Sequence, residues 1–166
     1  MTYSKSVVIE RIEPKHASQL LFMIKELADF EKMSDQVELS EDRLAKDIER
    51  GAVHGFIALE GCAPVGMTLF YMAYSTWQGQ FIHMEDLYVR PEHRQRGIGQ
   101  RLWIEIAKLA QKNGMKRLQW NVLDWNENAI RFYNKVNAVN LTKKEGWVNY
   151  RLDEEGIEQL TKLNKQ

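Results

Sequence analysis

Apolar and polar positions along the chain follow two periods, and the switches between them mark the elements. Val7 to Ile12 reads as a first strand, and Pro14 then opens a helix in which Leu20, Ile24 and Leu27 recur at helical spacing toward Phe30. Ser40 followed by Glu41 and Asp42 predicts a second helix start, since a hydroxyl can cap exposed N–H groups and early acids suit the helix dipole. Gly51 is placed to stop it. GFIALE, the turn EGCAP and VGMTLFYMAY predict a hairpin of apolar and β-branched runs bounded by Gly and Pro. Gln80 to Val89 reads as the next strand, followed by a glycine-containing turn and a helix whose Ile98, Leu102, Ile106 and Leu109 keep helical spacing as far as Gly114. RLQWNVL is then predicted as a strand, Asn126 to Val136 as a short helix, GWVNYRL as a last strand, and the stretch with Ile157, Leu160 and Leu163 as a C-terminal helix. Alternating strands and helices of this kind predict an α/β fold, a mixed sheet covered by helices.

Composition narrows the class. With 166 residues and 44% hydrophobic content the chain can bury one real core and is short for two, so a single domain spanning 1–166 is expected. Twenty-three Lys+Arg balance twenty-three Asp+Glu, so no overall field draws the protein to nucleic acid or to an anionic membrane. No apolar run approaches the roughly 18 residues of a membrane span, and the N-terminal stretch lacks the apolar segment of a signal peptide. The single cysteine, Cys62, has no partner for an intrachain disulfide, which suits a reducing compartment. A cytoplasmic protein without nucleic-acid or membrane partners is expected. His16, His54, His83 and His93 show no paired ligand spacing, so no metal is expected either.

The chemistry concentrates in VRPEHRQRGIGQRLW. A glycine turn that leads from a strand into a helix gathers unpaired backbone N–H groups at the positive end of the helix dipole, a setting that suits phosphate or pyrophosphate. Two glycines one residue apart can equally form a tight turn and nothing more. The spacing is neither a dinucleotide GxGxxG nor a P-loop, which needs a lysine and a hydroxyl after its second glycine.

The run Arg94-Gln95-Arg96-Gly97-Ile98-Gly99 resembles the Q/R-x-x-G-x-G/A turn of the GNAT superfamily of acetyl-CoA-dependent N-acetyltransferases. IKELADFEKM, MEDLYV, DWNENAIRFYNK and EGW follow the order found in the diamine acetyltransferase family, so the resemblance covers almost the whole chain. It implies a GNAT fold with a mostly antiparallel sheet and acetyl-CoA as co-substrate. Leu87, Tyr88 and Val89 would offer backbone groups to the pantetheine arm. The turn from Arg94 and Gln95 through Arg96, Gly97, Ile98, Gly99 and Gln100 would hold the pyrophosphate. Asn126, Glu127, Asn128 and Ala129 match the segment along the other side of the coenzyme, although Asn126 also reads as a helix N-cap.

Aminolysis of a thioester makes two demands. A primary amine with a pKa near 10.4 is only about one part in a few thousand neutral at pH 7, so a proton acceptor must stand near it. The resemblance assigns that role to Glu85, and the role of acid to the departing thiolate to Tyr133. Alternation puts Glu85 and Asp86 on opposite faces of a strand unless a bulge intervenes, and Asp86 is the rival acid. For the amine, the resemblance implies Phe30, Glu31, Glu85, Gln119, Trp120, Asn121 and Glu145, while Trp77 and Trp147 could wall the site. Lys32 and Lys144 would repel the far ammonium of a polyamine and welcome a carboxylate. The family includes enzymes acetylating thialysine, the sulfur analogue of lysine, so a thialysine- or lysine-like amine is expected, with a diamine or polyamine as the alternative. A homodimer paired through the C-terminal strand region is implied as well. A coenzyme-binding sensor without turnover is the competing reading from another class.

Overall fold

A computed structural model describes residues 6–163. The chain forms two compact units, one running to Asn121 and the other starting at Val122. In the first unit the strands are β1 (Val7–Arg11), β2 (His54–Glu60), β3 (Ala63–Ser75), β4 (Gly79–Val89) and β5 (Leu118–Trp120), and the helices are α1 (Ala17–Phe30), α2 (Glu41–Glu49) and α3 (Ile98–Lys112). The sheet runs β1-β2-β3-β4-β5, antiparallel as far as β4, with β5 parallel to β4. This is the GNAT fold that the resemblance implied.

Each face of the sheet is closed by a helix whose apolar stripe the sequence already shows. On one face Leu20 and Met23 of α1 and Leu44 and Ile48 of α2 pack with Ile57, Met67, Leu69 and Tyr88. The other is covered by α3, whose Ile98, Leu102, Ile106 and Ala110 are buried at four-residue spacing, and whose Trp103 meets Trp120 edge to face at 5.4 Å. Burying one such aliphatic side chain contributes about 1.5–3 kcal/mol, so these two stripes fix which residues face which way. The caps match their sequence signals: Ser40 Oγ accepts from Arg43 N at 3.2 Å, and Gly51 follows α2 at φ 73°.

The second unit holds α4 (Glu127–Asn134), α5 (Leu141–Glu145) and α6 (Glu154–Lys162). Asn126 caps α4 through its side chain, which accepts from Ala129 N at 3.2 Å, and Asn137 takes the left-handed conformation at φ 58°. Two expectations need correction. RLQWNVL narrows to the three residues of β5, and GWVNYRL is not a strand: after Gly146 at φ 76° the segment runs without a ladder, with Trp147, Val148 and Tyr150 exposed. Aromatic and β-branched composition favours a strand only where another strand is there to pair with it.

Candidate active site

The site begins with an extra residue in β4. Across the β3–β4 ladder Leu69 pairs with Asp86 but Phe70 pairs with Met84, so Glu85 is a bulge with no counterpart on β3. The bulge resolves the ambiguity left by alternation. Asp86 lies on the face of Leu69, with Tyr88 opposite Met67 and His83 opposite Tyr71, the face that α1 covers. Glu85 is electrostatically coupled to Asp86, Tyr71 and Glu31, the residue that follows α1. Three carboxyl groups and a phenol thus share one end of that face, with His83 Nε2 3.9 Å from Glu85 Oε2.

The electrostatics follow from this crowding. Burial, reinforced by the charges of Glu85 and Glu31, pushes the Asp86 carboxyl up to about 7. Glu31 is raised by burial and then by Glu85, and Tyr71 is raised by the same two causes. A cation entering this space would relieve all three. A primary ammonium fits that requirement.

How Glu31 is aimed depends on the residue after it. Lys32 is left-handed at φ 61°, Lys32 N donates to Asp29 O at 3.0 Å and Met33 N to Ala28 O at 2.8 Å, the paired bonds of a Schellman motif that ends α1 and turns the chain away. Phe30, the last residue of α1, is 42% exposed and lies 5.8 Å beneath the Arg94 guanidinium.

Beside the acids the sheet opens. The β4–β5 ladder pairs Ile82 with Leu118, His83 with Gln119 and Met84 with Trp120, and stops there, so β4 from Glu85 to Val89 continues without β5 beside it. Of the residues expected on β5, Gln119 is in register with His83, whereas Trp120 turns to the opposite face against Trp103 and stands apart from the acids. Asn121 is exposed at the end of the unit.

The turn after β4 has the geometry that suits an anion. Gln95 and Gly97 are both left-handed, at φ 61° and 74°, and a Cβ on Gly97 would meet no atom within 4 Å. The first bond of α3 runs from Arg101 N to Gly97 O at 3.0 Å, which leaves the N–H groups of Ile98, Gly99 and Gln100 at the helix start without intrahelical acceptors. The arginines brace this turn. Arg94 Nε donates to the Val89 carbonyl at 2.9 Å, and Arg96 is held by Glu60 and lies 2.9 Å from His93 Nδ1.

In the second unit Tyr133 lies on α4 with its ring 5.4 Å from that of Phe132. Glu127 and Asn128 both accept from Arg131, at 3.0 and 2.6 Å, so their side chains tie α4 to itself. Glu145 accepts from Trp147 Nε1 at 2.8 Å. Trp77 is 84% exposed, at the tip of the β3–β4 hairpin in the first unit.

Tyr71 and His83, which stand with the acids, are not among the site residues expected from the sequence, where His83 enters only among histidines without ligand spacing. Tyr71 was legible as an alternate residue of Leu69 on the same strand. His83 needed the bulge to be known. A cavity of about 550 Å³ lined by Ile24, Leu39 and Arg43 includes none of the expected residues. Among the described residues no group of three or more His, Cys, Asp or Glu could hold a metal ion.

Residues 21–138 match the acetyltransferase (GNAT) family. The chain is 55% identical over 149 residues to a thialysine N-epsilon-acetyltransferase of Caenorhabditis elegans, covering 90% of this chain and 93% of that protein. It is 38% identical over 165 residues to a protein of the same name from Sus scrofa, covering 93% and 97%. Among solved structures, an integron cassette protein from the mobile metagenome of V. cholerae superposes with a TM-score of 0.75 at 25% identity, over 95% of this chain and 98% of that one.

Proposed function

Because the chain belongs to the GNAT acetyltransferase family and is an acetyl-CoA-dependent N-acetyltransferase, we propose that it acetylates the side-chain amine of a thialysine- or lysine-like amino acid. The near full-length kinship with thialysine acetyltransferases carries the substrate reading. The acids Glu31, Glu85 and Asp86 support it as a seat for the reacting ammonium, and Lys32 beside Glu31 supplies a cation suited to a carboxylate.

The first unit fits the co-substrate. The N–H groups at the start of α3 suit a pyrophosphate, the open side of Leu87, Tyr88 and Val89 suits the amides of a pantetheine arm, and the empty space at Gly97 leaves room for close approach. Asn126 and Ala129, joined in the cap of α4, are the second unit's candidates for the coenzyme, as the resemblance assigns them. Acetyl-CoA supplies the activated acyl group. Glu85, exposed on the bulge, takes the proton of the amine, and Asp86 and Glu31 hold the ammonium before the proton leaves. Tyr133 gives its phenolic proton to the departing sulfur and is reprotonated by the second amine hydrogen. One ammonium and one thioester thus give an amide, a thiol and one proton.

The family match at residues 21–138 extends past Asn121, which supports reading both units as one acetyltransferase domain. The exposed Trp147, Val148 and Tyr150 support a homodimer that covers this segment, and a cytoplasmic location accords with the absence of any described helix long and apolar enough to cross a membrane. A polyamine is the second reading, favoured by three carboxylates where one ammonium needs fewer. The deciding experiment compares kcat/KM for thialysine, lysine, putrescine and spermidine, then repeats it with Lys32→Glu and Lys144→Glu. Spermidine as the clear best substrate, with no shift in the variants, overturns the amino-acid reading.

A further inference from the structure

Resting on Glu85 as the base, we propose that His83 is a relay and positioning residue that accepts the amine's proton from Glu85 and hands it to water. The bulge makes this juxtaposition possible: it brings His83, opposite Tyr71, and Glu85 to one end of the same face, with Nε2 and Oε2 3.9 Å apart. That separation is too long for a hydrogen bond and short enough for a modest side-chain rotation or one water to close. The Tyr71 ring stacks on the His83 ring at 5.0 Å and 22°, which fixes the plane in which the imidazole nitrogens lie. The His83 side chain is 14% exposed, beside the 62% exposed Glu85, so water reaches the ring only at its margin.

Acidic and uncharged groups surround this ring. From β3 it faces Tyr71, from β5 its register partner is the uncharged Gln119, and on its own strand it faces Glu85 with Asp86 beyond it, while α1 adds Glu31 through its coupling to Glu85. These groups are acids or neutral. While the substrate is charged, its ammonium and an imidazolium would compete for the same acids. The step balances in protons. The ammonium N–H bond breaks and an O–H bond forms on Glu85; that proton then moves to the Nε2 lone pair of His83 in its Nδ1–H tautomer. The imidazolium next releases the proton to water, restoring both side chains. Imidazole is suited to this because its ordinary titration lies between pH 5 and 8.

The test uses His83→Phe, which keeps a ring on Tyr71, and His83→Gln, each checked for folding by circular dichroism, alongside Glu85→Gln. A fall in kcat/KM of roughly ten- to a hundredfold near pH 7, shrinking at acid pH and partly restored by added imidazole, is expected for both His83 variants. A pH profile identical to the parent, with no imidazole effect, reduces His83 to a stacking partner and overturns the relay. A second readout needs no substrate: the imidazole carbon protons of His83, assigned by their loss in His83→Phe, are followed by NMR through a pH titration of the free protein. Glu85→Gln is expected to move the His83 midpoint, since it removes the carboxyl group 3.9 Å from Nε2. An unmoved midpoint breaks the link. If Glu85→Gln itself leaves rate and pH profile unchanged, the base assignment fails, a result separable from failure of His83 alone.

Discussion

The Glu60 carboxylate at the end of β2 holds the Arg96 guanidinium in the turn after β4, and His93 Nδ1 lies 2.9 Å from the same guanidinium. This tie anchors the turn after β4 to the β2–β3 hairpin.

Glu60→Gln should therefore act on the coenzyme and leave the chemistry alone. The expected outcome is a KM for acetyl-CoA raised about two- to fivefold, the range of a surface ion pair, with kcat and the amine KM unchanged. Steady-state kinetics at low and high salt check it, since the difference should shrink as salt screens the pair.

The two glycines of the turn should behave differently. Gly97 is left-handed at φ 74° with nothing near its Cβ position, so Gly97→Ala adds backbone strain alone, about 1–2 kcal/mol. Gly99 lies within helical α3 and its Cβ would rest 3.5 Å from Val89 Cγ2, an ordinary contact. Gly99→Ala should leave the thermal midpoint unchanged or raise it, because alanine is the better helix former. Both variants should weaken acetyl-CoA, and calorimetry with the coenzyme separates the effects.

Asp86 makes stability depend on pH in an unusual direction. Its carboxyl titrates near 7 in the folded protein, against an ordinary value of 3.8, so between these limits the folded state binds more protons than the unfolded chain. Stability contributed by the group is therefore full below pH 4 and falls as pH rises toward 7. Asp86→Asn should flatten this slope and raise stability at pH 8 by about 2–4 kcal/mol, with no gain below pH 4. Denaturant melts across this range test it, and a variant no more stable than the parent at pH 8 contradicts the assignment.

Lys32 pays for the aim of Glu31 with a left-handed backbone at φ 61°. Lys32→Gly should stabilise the fold by about 0.5–1 kcal/mol by removing a Cβ from that conformation. If Lys32 meets the substrate carboxylate, the same variant should lose amino-acid substrates more than diamines.

Tyr133→Phe keeps the ring beside Phe132 and removes only the hydroxyl. The turnover number should fall about a hundredfold or more while acetyl-CoA affinity stays put. Turnover equal to the parent would transfer the acid's role to water.

What was legible in the sequence is local. The stripes of α1 and α3, the caps at Ser40 and Asn126 and the left-handed turn at Gly97 each depend on residues within a turn or two of one another, and the chain spells them out. The bulge at Glu85 does not arise locally. It records how β3 and β4 align over their full length, and period-two alternation alone says only that Glu85 and Asp86 differ in facing. For the same reason Trp120 could be named from the resemblance but not assigned to the α3 face, and GWVNYRL has strand composition without a strand.

A strand that outlives its neighbour is an edge in the interior of a sheet, and edges recruit foreign strands. On β4 that edge opens with two carboxylates, Glu85 and Asp86, immediately beyond the last β5 pair. These two acids act as gatekeepers, discouraging another chain from completing the ladder. Losing both at once should leave a protein that still folds but self-associates on concentration.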